Sequence, residues 1–179
     1  MIEMFAVLCL VSAPTHYTAV PDSSAQFVAH ITGGSFTGST KALSGSIEIG
    51  DDGKVTQGAV SLKADTFETG METRDSHMKE KYLETAKFPT ITLDLAGATL
   101  PASGVGVADV SGTLELHGVK KPVTVHVVVT DSGNGQRRAT SSFVVDITEY
   151  GIPQPKFMVV KMDPKVEVSV DVRFTQAGQ

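Results

Sequence analysis

The sequence predicts an all-β domain, an antiparallel meander of about eight strands that closes into a barrel or sandwich. Three observations lead there. Apolar and polar residues alternate with period two along most of the chain, as they do on strands with one face buried and one solvated. Turn-forming clusters separate the alternating runs at short, even intervals. The composition is rich in Val, Thr and Gly, with 17 Gly, no Trp and few aromatics in 179 residues, a mixture that favours strands and turns over helices.

The runs follow in order. Phe27, Ala29 and Ile31 alternate with Val28 and His30, and Gly33-Gly34 marks a bend. Ile47 and Ile49 flank Glu48, and Gly50-Asp-Asp-Gly53 is a hairpin connection. Val60, Leu62 and Ala64 flank Ser61 and Lys63. Ile91, Leu93 and Leu95 alternate with Thr90, Thr92 and Asp94. Leu114 and Leu116 flank Glu115, and Gly118-Val-Lys-Lys-Pro122 is a slightly longer connection. Val123, Val125, Val127 and Val129 form one stripe, with Val128 as the apolar intruder on the polar face. Ser132-Gly-Asn-Gly135 is another hairpin turn. Phe143, Val145 and Ile147 follow, and the clearest run, Val166 to Phe174, puts four Val and a Phe on one face. Strands such as Gly104 to His117 and Lys121 to Asp131 are long for a small barrel, and a closed barrel of about eight strands can just fill itself or hold one small ligand. The inner face is mostly Val, Ile, Leu and Ala, so any cavity is apolar.

One segment breaks the pattern. Residues 71–93 are the most charged part of the chain and carry helical periodicity. The spacing predicts a helix over 76–87, capped by Ser76 and stopped by Pro89, with Met78, Tyr82 and Ala86 on one stripe and Leu83 beside it. A helix this short needs an apolar surface to dock on. It either plugs the barrel end or forms a lid over an entrance, where Arg74, Asp75 and His77 would stand near a ligand's polar head. For each of these three residues the alternative is a solvated loop with local capping bonds.

Composition narrows the function classes. The net charge of −5 gives no footprint for nucleic acid. The single cysteine, Cys9, excludes an internal disulfide or a Cys-based zinc site. No stretch is long enough for a transmembrane span. The five histidines make no close metal-ligand pair, and His117 and His126 fall on the polar faces of their strands, where solvation is expected. No nucleophile elbow, phosphate loop or acid/base pair stands out. The reading therefore has no catalytic residue, no metal and no cofactor. At the N-terminus, Met4 to Val11 reads as the apolar part of an export signal, with small residues at Val11-Ser12-Ala13. Glu3 replaces the usual basic residue, so residues 1–13 form at most a weak signal, or pack on the domain. Residues 14–179 form a single domain.

Several motifs resemble the YceI-like family. They are Thr66-Phe-Glu-Thr-Gly-Met-Glu-Thr-Arg-Asp-Ser-His-Met78, then Tyr82-Leu83 and Lys87-Phe-Pro-Thr-Ile-Thr-Leu93. Downstream, Gly112-Thr-Leu-Glu-Leu-His-Gly-Val-Lys-Lys-Pro-Val123 and Asp146-Ile-Thr-Glu-Tyr-Gly-Ile152 fit the same pattern. Upstream, Phe27-Val-Ala-His30 and Gly34-Ser-Phe-Thr-Gly38 fit its start. The resemblance covers roughly residues 17 to 175. It implies a lipocalin-like antiparallel barrel that binds a long isoprenoid lipid, polyprenyl or isoprenoid quinone, in an apolar tunnel, and it implies export to the periplasm.

The expected lining is Phe27, Phe36, Ile47, Ile91, Leu93, Phe143, Ile147, Met158, Val168 and Val170. The expected entrance or lid is Arg74, Asp75, His77, Met78 and Tyr82. Transient membrane contact and a homodimer are compatible with this reading. Two rival readings stay open: an enzyme acting on a lipid or quinone in the same cavity, and a structural or interaction domain with a filled core.

Overall fold

The computed structural model describes residues 14–100, 104–157 and 159–177; the proposed signal segment and Met158 lie outside them. The strands are β1 (Thr15–Ala19), β2 (Ser24–Ile31), β3 (Gly34–Thr40), β4 (Leu43–Ile49), β5 (Val55–Lys63), β6 (Thr90–Asp94), β7 (Gly106–Leu116), β8 (Val119–Gly133), β9 (Gln136–Asp146), β10 (Lys156–Phe157) and β11 (Val160–Gln176). All pairings are antiparallel. From β4 they run in chain order to β9 and then to β11. The far edge of β11 pairs with β2 along Met162–Asp171 and with β1 along Phe174–Gln176. Because β1 also pairs with β4 and β2 with β3, β1 with β2 fills one barrel position and β3 with β4 a second. β5, β6, β7, β8, β9 and β11 supply six more, and the sheet closes into the eight-stranded barrel that the alternation predicts.

Local chemistry explains the breaks in the first two positions. Between β1 and β2, Pro21 has no N–H for a ladder. The wholly buried Ser23 hydroxyl fills in, donating to the Val20 carbonyl at 2.8 Å and accepting from Arg173 N–H at 3.0 Å. Between β3 and β4, the Thr40 hydroxyl accepts from Ala42 N–H and lies 2.6 Å from that of Thr66. Among the described residues the outer edge of β3 has no second strand. Ser39 and Glu68 exchange backbone bonds of 2.9 and 3.0 Å there, so the chain leading into the helix covers that edge.

Inward positions follow the period-two reading. Val110, Leu114, Val125, Val145, Val166, Val172 and Phe174 are buried, while the intruder Val128 is exposed on the outer face. Pro122 lies within β8 rather than in a turn. There β8 pairs only with β7, because its ladder with β9 starts at His126 and Ser142. The missing N–H costs no hydrogen bond on the unpaired side. The β7–β8 turn is accordingly shorter than expected. Leu116 pairs with Val119, and His117 and Gly118 take the left-handed conformation at φ 52° and 74°, the two-residue connection whose twist matches the flanking strands.

The helix is displaced from its expected span. An α-helical turn covers Glu72–His77 and a π turn covers Met78–Tyr82, so the segment begins four residues before Ser76. Ser76 is inside it and donates to Glu80 Oε1 at 3.0 Å instead of capping. The end comes at Leu83, whose N–H reaches the Met78 carbonyl, and Glu84 follows at φ 44°. Acidic Glu72 and Asp75 in the first turn favour the earlier start.

Candidate functional site

The barrel encloses a cavity of about 630 Å³, within the range of about 300–1,000 Å³ typical of small-molecule sites. Inward residues from every barrel position form its wall. Phe27, Phe36, Ile47, Ile91, Leu93, Phe143, Ile147, Val168 and Val170 all stand on it. Gly45 and Gly112 permit close approach of neighbouring backbone, since a Cβ on either would meet a backbone oxygen at 2.4 or 2.5 Å. Among the described residues the lining contains no Asp or Glu, although the chain carries 20 acidic residues.

The helical segment stands at one end. Met78, Tyr82 and Leu83 reach the cavity, as do Arg74 and His77; Asp75 does not. Asp75 instead holds the approach to the helix, its Oδ1 accepting from the Thr69 N–H at 2.9 Å and from its hydroxyl at 2.5 Å. Arg74 completes that clamp, donating from Nε to the Thr69 hydroxyl and from Nη2 to its carbonyl at 2.7 and 2.8 Å. Its guanidinium lies 4.3 Å from the Phe36 ring centre, a cation–π contact that puts a charged group on the cavity rim. The Arg-Asp pair thus builds one loop with both side chains, and only the arginine faces the cavity.

His117 departs from the expectation of solvation. Its side chain is only 11% exposed, because the left-handed turn folds the ring under the barrel. Nδ1 donates to the Tyr150 carbonyl at 3.2 Å, Nε2 lies 3.0 Å from Glu84 Oε2, and the ring packs against Phe88 with planes tilted by 57° and centres 4.3 Å apart. A hydrogen bond from Lys87, with His117 second, lowers the Glu84 pKa from the ordinary carboxylate value. This latch ties the chain after the helix to the loop at Tyr150. His126 stays on the outer face, 2.8 Å from Asp109.

The opposite end holds a residue that the strand reading passed over. Continuing the inward face of β9 from Phe143 through Ser141 and Ala139 reaches Arg137, which lines the cavity. It donates to the Gly104 carbonyl at 2.5 Å, and its guanidinium lies 5.7 Å from the Tyr17 ring centre. The same period-two count that placed Phe143 was the available signal. Among the described residues no group of three or more His, Cys, Asp or Glu is arranged to hold a metal, and no helix is long and apolar enough to cross a membrane.

Comparison with known proteins adds three findings. A sequence model of the YceI-like domain matches residues 17–174. A UPF0312 protein of Pseudomonas fluorescens (strain SBW25) is 31% identical over 117 residues, 61% of this chain and 60% of the relative; the match thus spans about three fifths of that protein's length. Among solved structures, a polyisoprenoid binding domain from Saccharophagus degradans, implicated in plant cell wall breakdown, superposes with a TM-score of 0.73 at 18% identity, covering 89% of this chain and 98% of that one. Burkholderia cenocepacia BcnA superposes with a TM-score of 0.71 at 16% identity, covering 84% and 95%. At these identities the likeness is one of fold.

Proposed function

The chain belongs to the YceI-like domain family, and from that premise we propose that it binds a long isoprenoid lipid, a polyprenyl or isoprenoid-quinone molecule, in the barrel cavity and carries or stores it without altering it. The observation that carries this reading is the wall itself, a continuous apolar surface around about 630 Å³ of space. A filled-core domain has no use for such a volume. The Saccharophagus degradans protein with the same fold is described as polyisoprenoid binding, which supports the choice of ligand class.

Affinity on this reading comes from buried length. Each buried methylene contributes about 0.8 kcal/mol, so about fifteen contribute about 12 kcal/mol gross. Ordering the chain and losing translational freedom offset much of that. Phe27, Phe36, Ile47, Ile91, Leu93, Phe143, Ile147, Val168 and Val170 are the proposed contacts along the chain. Met78 and Tyr82 act as a lid at the entrance, with Arg74 and His77 beside the polar head and Asp75 holding the lid's approach. Residues 1–13 act as the export signal, residues 14–179 as the single lipid-binding domain, and the protein works in the periplasm.

The test is organic extraction of protein purified without detergent, followed by mass spectrometry. A stoichiometric polyprenyl or quinone species is expected, and Val168→Asp or Ile91→Asp abolishes it. An empty extract from folded protein that also refuses added isoprenoids would overturn the reading. A folded Asp variant that retains lipid would overturn the assignment of the wall.

A further inference from the structure

The rim beside the helix carries a second feature, on the hairpin formed by β10 and β11. Pro155, Lys156, Val160 and Met162 from this hairpin line the cavity, so the hairpin is part of the entrance. At its tip Val159 is 85% exposed, the most exposed large hydrophobic residue among those described. Burial drives apolar side chains inward, and Val159 has no fold-internal reason to stand in water. Lys156 and Lys161 sit directly opposite each other across the two strands. Like charges in that position repel. Both are exposed, and neither forms an ion pair among the described residues. A hairpin that presents an apolar tip between two facing lysines is unfavourable in free solution and is complementary to an interface with an anionic layer over an apolar one.

The charge around the entrance agrees. Among the described residues the charged groups of the lining are Arg74, Arg137 and Lys156, with no carboxylate. Glu68, Glu72, Asp75 and Glu80 line a separate depression that shares only Met71 with the cavity. Of the three cations, Arg74 and Lys156 stand at the helix end and Arg137 at the opposite one, while the acids gather in the depression along the helical segment, which Lys79 also lines. The hairpin, with Lys156 opposite Lys161, is the part of the rim that suits an anionic surface.

We propose that the β10–β11 hairpin docks the cavity entrance onto an anionic lipid membrane, with Val159 entering the interfacial region and Lys156 and Lys161 contacting acidic headgroups. The purpose of such docking rests on the lipid-carrier reading, because it places the tunnel mouth where a chain can pass between bilayer and barrel. The contact itself is measured without reference to the tunnel.

The experiment is cosedimentation of the full chain with vesicles of phosphatidylcholine alone and of phosphatidylcholine mixed with phosphatidylglycerol. At low salt, binding at least tenfold tighter to the mixed vesicles is expected, and added salt weakens it. Each lysine near an anionic surface is worth about fivefold, so Lys156→Gln with Lys161→Gln lowers affinity about 25-fold. Val159→Asp, outside the lining, lowers it at least tenfold while keeping its fold and its extractable lipid. Equal binding to both vesicle types, or variants that sediment like the parent, would overturn the proposal. So would gel filtration in which Val159→Asp converts a dimer to a monomer while vesicle binding is unchanged, since the tip would then be a self-interface. An empty organic extract sinks the carrier reading alone, and vesicle binding then still decides the docking.

Discussion

The two ends of the barrel are closed by different means. At the Arg137 end, Tyr17, Val55, Ala98 and Phe174 are all buried and belong to one core cluster. Arg137 is fastened there to the Gly104 carbonyl and lies near the Tyr17 ring. At the other end, no residue of the segment from Glu72 to Tyr82 is fully buried. That segment is held by polar clamps at its two flanks, Thr69 with Arg74 and Asp75 before it and Glu84 with His117 after it. Segments with few buried apolar contacts open locally at low free-energy cost, whereas a buried cluster opens only with the whole fold. The helix end has its own buried cluster, including Leu116, Ile147, Tyr150 and Ile152, against which Tyr82 and Leu83 pack, so the proposed entrance requires only the segment Glu72–Tyr82 to open, and the hairpin with Val159 lies at the same end.

The sharpest way to break this comparison is to truncate one residue at each end. Phe174→Ala should cost about 3–5 kcal/mol of stability in urea unfolding, as for other buried aromatic truncations. Met78→Ala, on a half-buried side chain, should cost about 1 kcal/mol yet speed transfer of bound lipid to acceptor vesicles several-fold. Equal stability losses, or faster transfer from Phe174→Ala than from Met78→Ala, would reverse the assignment of the ends. The smallest effect concerns acid. Glu84 is stabilised in its charged form by Lys87 and His117, so its folded pKa lies below its unfolded one. Its contribution is present above the ordinary glutamate value of about 4.3 and is lost as pH falls through the lower folded value. Glu84→Gln should therefore flatten the acid side of the stability–pH curve slightly, because Lys87, the partner with the largest effect, is exposed to solvent. An unchanged acid slope would remove the latch from the account.

The wall and the rim also differ in how they are written in the sequence. Burial on one face forces period two, so the run Val166 to Phe174 declares its inner face in isolation, and Ile91 or Phe143 can be placed by counting. The rim has no such period. It is held by bonds between side chains and distant backbone, such as His117 to Tyr150, and by left-handed residues, Glu84 and His117, whose types do not announce that conformation. The π turn at Met78–Tyr82 adds a residue to the helical repeat, and a 3.6-residue stripe drawn from Ser76 therefore ran past the true end to Ala86. Arg137 was hidden for another reason. A charged residue on an inward position contradicts the pattern until the end of the barrel is known to lie there.

Hydrogen exchange read by mass spectrometry, on extracted protein and on protein reloaded with a polyprenol, tests the central claim most directly. Loading is predicted to protect the amides of residues 71–88 and the hairpin strand β11 near Val160, and to leave those of β1 and the C-terminal part of β11 unchanged. Protection confined to the Arg137 end, or no protection anywhere, would contradict an apolar tunnel that fills through the helix end.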